Sequence, residues 1–131
     1  MAVSMTEAAV VAREKTVTRR LGWRFLKPGD RLTLCRKVMG RRGGEPLVRL
    51  ATVEVVSVRR ESLLSITTDD VEREGVPRDV FARNAHDAEC PTCRPVCWAG
   101  WYARTMGITI ASDVTRIEWR YLENVELGGA P

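Results

Sequence analysis

Hydrophobic and polar residues alternate with a period of two in several segments, the pattern typical of β-strands. The clearest segment is residues 114–122, where Thr, Ile, Trp and Tyr occupy one face and Arg, Glu and Arg occupy the other. Residues 31–38 alternate in the same way, and residues 16–21 are rich in β-branched side chains. Residues 47–58 are rich in valine and apolar on both faces, which favours a strand covered on both sides. The pattern therefore predicts four strands.

Three further segments have helical patterns. Residues 7–14 carry an apolar face of Ala and Val and follow Thr6, a candidate N-cap. Residues 69–75 form an acidic helical turn that ends in glycine, and Pro77 is placed to open another helix. Residues 96–106 are helical and stop at a glycine. Strands with interspersed helices predict an α+β fold around a small barrel.

The helix at residues 96–106 carries Trp98, Trp101 and Tyr102 at positions i, i+3 and i+4, so the three rings share one face. Aromatic rings on a helix can stack on nucleic-acid bases. A buried core stripe is the prediction that we favour, because this spacing is that of any amphipathic helix.

The length of 131 residues predicts one domain over 1–131, with a core at about 5–122, a cysteine-bearing insertion at 86–97 and a tail at 123–131. No apolar run approaches the roughly 20 residues of a membrane-spanning helix. The short apolar run at 8–12 follows Glu7 and lacks a basic leader, so it does not resemble a signal peptide. We expect a cytoplasmic protein without a membrane partner.

The net charge of +4 is unevenly distributed. Residues 1–60 contain 14 Lys/Arg and 5 Asp/Glu, whereas residues 61–131 contain 7 and 12. A basic half is typical of proteins that bind polyanions, and guanidinium groups suit phosphate oxygens. The alternative is a solvated charged face with no ligand. We favour a basic cleft, with Arg41 and Arg42 in a hairpin tip at residues 40–44 among its contacts.

Two motifs lie close together near the N-terminus: K-T-V-T-R-R at residues 15–20, and the tight turn P-G-D at residues 28–30. Together with the strand at 114–122 they resemble the ASCH domain, a small relative of the PUA family of RNA-binding barrels. The resemblance covers about residues 5–122. It implies a PUA-like β-barrel with peripheral helices and a ligand that is RNA or a modified nucleoside.

Within that family, the sequence is similar to the 4-acetylcytidine amidohydrolases, which cleave the acetyl amide of a modified nucleoside. The similarity implies that Lys15, Thr18 and Glu74 are catalytic, with Arg20 at the family's arginine position. A threonine hydroxyl is a weak nucleophile that needs a base, and lysine is a base only when its pKa is lowered. Glu74 would hold or relay a proton. Residues 15 and 18 of one strand would face opposite sides, so Lys15 must precede the strand.

A second group of chemically active residues lies in the insertion. A Cys-x2-Cys pair, one more cysteine and the only histidine fall within twelve residues, a spacing typical of a structural zinc site. The alternative is a set of reduced thiols in a cytoplasmic protein. The predicted zinc ligands are His86, Cys90, Cys93 and Cys97.

We therefore predict an RNA- or modified-nucleoside-binding domain. An amidohydrolase acting on an acylated pyrimidine nucleoside is the main alternative, followed by a ribonuclease and by a zinc-stapled adaptor for a protein partner that the sequence does not identify. Trp23 lies in a basic segment and is the aromatic residue predicted to stack on a base. The predicted ligand contacts are Arg19, Arg20, Trp23, Arg41 and Arg42.

Overall fold

A computed structural model describes residues 1–37, 43–77 and 95–122. Their main feature is a four-stranded antiparallel sheet in the order β1-β4-β3-β2. All four predicted strands are present. The longest of them, predicted at residues 47–58, ends four residues later than predicted. The strands are β1 (Val17–Arg20), β2 (Arg31–Cys35), β3 (Arg49–Ser62) and β4 (Asp113–Tyr121).

The three predicted helices also form: α1 (Glu7–Val11), α2 (Thr68–Glu74) and α3 (Pro95–Met106). Helix α1 is shorter than predicted, because the chain turns at Arg13, whose φ of 61° is incompatible with a helix. Thr6 makes no side-chain cap on α1, and its hydroxyl donates to the Val3 carbonyl instead. Thr67 does cap α2, accepting a hydrogen bond from the Asp70 amide at 3.1 Å.

The described strands form an open sheet, so the predicted closed barrel is not present in this part of the chain. Strand β1 pairs with β4 and strand β2 pairs with β3. The outer edge of β2 is occupied at Cys35 by a bridge to Ala2 of the N-terminal segment, which leaves β1 no room to pair there. Strand β1 reaches that segment through a side chain, since Arg20 donates to the Ala2 carbonyl at 2.6 Å.

The buried hydrophobic side chains form two clusters. The first joins β2, β3 and β4 with α1, and alternate residues of β3, from Ala51 to Val55, point into it as the period-two pattern predicts. The second joins α2 and α3 with the start of β4. Trp98, Trp101 and Tyr102 are all buried there, which confirms the predicted core stripe.

Gly75 ends α2 in the left-handed conformation, with a φ of 75°. A Cβ atom at this position would lie 2.7 Å from the Ala9 Cβ and 3.0 Å from the Lys15 Cβ. The absence of a side chain therefore lets the segment carrying Lys15 pass close to the end of α2.

We expect Gly75→Ala to destabilise the fold more than Gly107→Ala does. Gly107 also follows a helix with positive φ, 69°, but a Cβ there would meet nothing within 4 Å. The control should lose about 1–2 kcal/mol from backbone strain alone. Gly75→Ala should lose a further ~1–3 kcal/mol from overpacking. Urea denaturation measures both values, and equal losses would contradict the close approach of Lys15.

Candidate functional site

Lys15 lies in the connection between α1 and β1, as the sequence requires if it is to share a site with Thr18. Its backbone is held on both sides. The Lys15 amide donates to the Ala9 carbonyl at 3.2 Å. The Lys15 carbonyl accepts hydrogen bonds from the Trp119 indole at 2.9 Å and the Tyr121 hydroxyl at 2.6 Å. These contacts fix the position from which the lysine side chain enters the interior.

The Lys15 side chain ends against Glu74, the last residue of α2. Its ammonium nitrogen lies 3.4 Å from Glu74 Oε1 and donates to the Glu74 backbone carbonyl at 2.5 Å. Both side chains are only 3% exposed. Burial lowers the pKa of Lys15, and the opposing effect of the Glu74 carboxylate does not cancel this shift. The lysine is therefore closer to acting as a base than an exposed lysine is.

Arg19 is fully buried and donates to three carboxylates. Its Nη1 lies 3.0 Å from Glu74 Oε2, and its Nη2 lies 2.8 Å from Asp70 Oδ2 and 2.7 Å from Glu61 Oε2. The sequence predicts a ligand contact at this position. The geometry favours a structural role, because these donors of Arg19 are directed into the protein.

Asp70 is shared between two guanidinium groups. Arg116 of β4 donates two hydrogen bonds to it, from Nε to Oδ2 at 2.7 Å and from Nη2 to Oδ1 at 3.0 Å. Arg19 donates a third. Hydrogen bonds from Arg116, and then from Arg19, hold the pKa of Asp70 well below its ordinary value despite burial. We call the six connected groups the buried ion network: Lys15, Arg19, Glu61, Asp70, Glu74 and Arg116.

A cavity of about 290 Å³ opens beside this network. Thr18 lines it, and so do Lys15 and Glu74, so the structure brings the three predicted catalytic residues to one cavity. Burial raises the pKa of Tyr102 to about 12, so its hydroxyl stays protonated and donates to the Arg19 carbonyl at 2.9 Å. Residues that line the cavity include Lys15, Thr18, Arg19, Arg20, Glu74, Trp98 and Tyr102.

Other predicted site residues lie elsewhere. Trp23 does not line the cavity; it packs against the first hydrophobic cluster, with its ring centre 5.5 Å from that of Phe25. Arg41, Arg42, His86, Cys90 and Cys93 lie outside the described residues.

Cys97 is the one predicted zinc ligand that the structure describes, and it is buried in α3. No group of His, Cys, Asp and Glu within residues 1–37, 43–77 and 95–122 could hold a metal ion. The zinc site therefore stays a prediction. In the same ranges, no helix is long and apolar enough to cross a membrane.

Three residues that hold the network together are not predicted from the sequence: Glu61, Asp70 and Arg116. One signal was available: Asp70 and Glu74 are four residues apart, which puts both carboxylates on the same face of a helix. The aromatic stripe was recognised as core, but its second role as one wall of the cavity has no sequence signal.

The backbone arrangement is similar to two solved structures. One is a protein of the DUF984 family from Enterococcus faecalis V583, with a TM-score of 0.54, 11% identity and coverage of 89% of this chain and 69% of that one. The other is an ASCH domain from Lactobacillus crispatus JV V101, with a TM-score of 0.50, 14% identity and coverage of 88% and 69%. The fold is ASCH-like.

This likeness confirms the ASCH resemblance that the N-terminal motifs and the strand at residues 114–122 predict. At 11–14% identity, the comparison with ASCH-like structures concerns the fold alone. No family model and no curated protein matches the chain significantly in sequence. The similarity therefore carries no information on the chemistry of the cavity.

We expect Asp70→Asn to lower the free energy of unfolding at neutral pH by roughly 3 kcal/mol, because two buried guanidinium groups lose their shared anion. Asp69→Asn is the matched control, since the Asp69 side chain is 76% exposed and that of Asp70 only 7%. The control should change stability by no more than about 0.5 kcal/mol.

The same pair of variants tests the pKa of Asp70. Its folded-state pKa is lowered, so its stabilising contribution is present above the unfolded value of about 3.9 and is lost as the pH falls below it. Urea titrations from neutral pH to pH 2 should therefore show the wild-type chain and Asp70→Asn converging in acid. A constant difference across that range would contradict the assignment.

Proposed function

We propose that the cavity binds a modified pyrimidine nucleoside, either free or within an RNA strand. The observation that carries the proposal is the meeting of Lys15, Thr18 and Glu74 at one cavity, although 56 residues separate Thr18 from Glu74 in the sequence. A volume of about 290 Å³ lies at the lower end of small-molecule sites, roughly 300–1,000 Å³. That size suits one nucleoside better than a longer ligand.

The lining of the cavity offers an aromatic surface for the ring of such a ligand and polar groups for its substituents. One wall is aromatic: the rings of Trp98 and Tyr102 are stacked with centres 5.1 Å apart and an angle of 19° between their planes. Aromatic side chains recognise the flat faces of bases. Polar groups of Lys15, Thr18 and Glu74 lie on the other elements of the lining and offer both donors and acceptors to exocyclic groups of a pyrimidine.

A second candidate function, amide hydrolysis of an acylated pyrimidine nucleoside, is favoured by the lowered pKa of Lys15. In this mechanism neutral Lys15 takes the proton from the Thr18 hydroxyl as Thr18 Oγ bonds to the acyl carbon. The Lys15 ammonium then returns the proton to the departing base nitrogen as the amide bond breaks, leaving an acyl ester on Thr18. Water hydrolyses that ester, and Glu74 holds the lysine in place throughout.

The further alternatives have less support. A ribonuclease that uses two histidines for acid–base catalysis is not supported, since the chain contains one histidine. The adaptor alternative depends on the zinc ligands, of which only Cys97 is described. A cytoplasmic location agrees with every version of the proposal.

Binding is tested by calorimetric titration of 4-acetylcytidine, alone and within a short single-stranded RNA. We expect saturable binding at one site in both cases. The affinity for the neutral nucleoside should change little with salt. The affinity for the RNA should fall steeply with salt if surface cations contact its phosphates, since counterions are released on binding. Absence of binding to both ligands would end the proposal, and an RNA affinity indifferent to salt would contradict a basic contact surface.

Hydrolysis is tested by measuring acetate released from 4-acetylcytidine. If the second candidate function is correct, Thr18→Val should reduce the rate by at least about a hundredfold, because it removes the nucleophile and keeps the branched shape. Thr33→Val, on β2 and away from the cavity, is the matched control and should retain the rate. Lys15→Arg should be nearly as damaging as Thr18→Val, since arginine stays protonated.

The rate should also rise with pH toward the lowered pKa of Lys15, because the neutral amine is the active form. A wild-type chain that binds 4-acetylcytidine without releasing acetate leaves nucleoside binding as the function.

A further inference from the structure

Arg20 differs from the other cations around the cavity. Lys15, Arg19 and Arg116 each have a carboxylate within hydrogen-bonding distance. Arg20 has no carboxylate partner within the ranges that the structure describes. Its Nη2 donates to the Ala2 carbonyl, and its Nε is fully buried without a hydrogen-bond partner there. Arg20 lines the cavity together with Thr18, and among the cations described in the lining it is the one without a carboxylate partner.

Arg20 is partly buried, and a cation that loses water without gaining an anion is destabilised. Removing a guanidinium group from water is compensated only when a counter-charge and its hydrogen bonds replace the lost solvent. Burial lowers the pKa of Arg20, and the nearby Glu74 carboxylate offsets this shift only in part. An anionic group placed in the cavity would supply the missing partner.

The Nε of Arg19, another lining residue, is also buried without a hydrogen-bond partner among the described residues, and so is one donor on α3. The indole nitrogen of Trp98 is buried and has no hydrogen-bond partner among the described residues. An indole N–H can only donate. The aromatic wall that Trp98 forms with Tyr102 favours a flat ring in the ligand, beside the group that meets Arg20.

The carboxylate that lines the cavity does not prevent anion binding. Glu74 is paired with the Lys15 ammonium and also accepts from Arg19, which it shares with Asp70 and Glu61. The charged residues of the lining are three cations and one carboxylate: Lys15, Arg19, Arg20 and Glu74. Guanidinium groups match the oxygens of phosphate in a planar, two-pronged geometry.

We infer that the ligand of the cavity is a pyrimidine nucleotide, with a phosphate group against Arg20, and not the neutral nucleoside. This inference rests on the proposed function and restricts the ligand to a phosphorylated nucleoside. The phosphate would be either the terminal group of a free nucleotide or a phosphodiester of an RNA strand, and both present the same oxygens to Arg20.

The test is calorimetric titration of the full chain with 4-acetylcytidine, its 5′-monophosphate and a dinucleotide that joins it to cytidine through one phosphodiester. If the wild-type chain releases acetate, the same titrations are made with Thr18→Val. We expect the better phosphorylated ligand to bind at least about tenfold more tightly than the nucleoside, the usual gain from a charge-assisted hydrogen bond. Tighter binding of the monophosphate assigns a free nucleotide, and tighter binding of the dinucleotide assigns an RNA strand.

Arg20→Gln should abolish this advantage, and Arg20→Lys should retain part of it. Arg31→Gln is the matched control, because it removes the same charge from an exposed position on β2 and should leave the advantage unchanged. If neither Arg20 variant folds, competition by inorganic phosphate on the wild-type chain tests the inference. Phosphate should weaken binding of the phosphorylated ligand and leave nucleoside binding unchanged.

Equal affinities for nucleoside and phosphorylated ligands would overturn the inference and leave the proposed function standing. An advantage that survives Arg20→Gln would also overturn it, because the phosphate would then lie elsewhere. Failure of all three ligands to bind would remove the proposed function itself.

Discussion

The carboxylate of Asp70, held between the guanidinium groups of Arg116 and Arg19, is the interaction on which the rest of the site depends. It joins the first turn of α2 to strands β1 and β4. Through Arg19 it also sets the position of Glu74, and through Glu74 that of the Lys15 ammonium. Burying such charges gives little net stability, since desolvation offsets most of the attraction. Its effect here is to fix one arrangement of three elements.

Ion pairs within the fold account for part of the uneven charge distribution along the chain. The first 60 residues are strongly basic and the remainder is acidic, which by itself indicates a surface for polyanions. In the folded protein, Lys15, Arg19 and Arg59 pair with carboxylates that come from after residue 60. Part of the asymmetry therefore joins the two halves of the chain to each other. Adjacent arginines of β1 have different roles, since Arg19 completes this pairing and Arg20 faces the cavity without a carboxylate.

The order of strands and helices along the chain could be predicted from the sequence, because period-two and helical patterns report local burial. The position of Lys15 before β1 could also be predicted, because Lys15 and Thr18 could not otherwise share a site. Two features of the structure could not be predicted from the sequence. The N-terminal bridge that occupies the edge of β2 leaves the sheet open, and neither Ala2 nor Cys35 signals it. Nor does the sequence distinguish Asp69 from Asp70, since only tertiary packing decides which neighbouring carboxylate is buried.

The site is assembled from distant parts of the chain. Lys15 lies between α1 and β1, Glu74 ends α2, and Trp98 lies in α3. Arg116, on the last described strand, binds Asp70 beside them. Contacts of such long sequence separation form only after large loops have closed, which makes folding slow relative to that of helical bundles of similar stability. The cavity therefore has no partial form: a nascent or truncated chain that lacks β4 lacks Arg116, the bidentate partner of Asp70, and with it the alignment of the site. The cavity is in effect a property of the fold that includes β4.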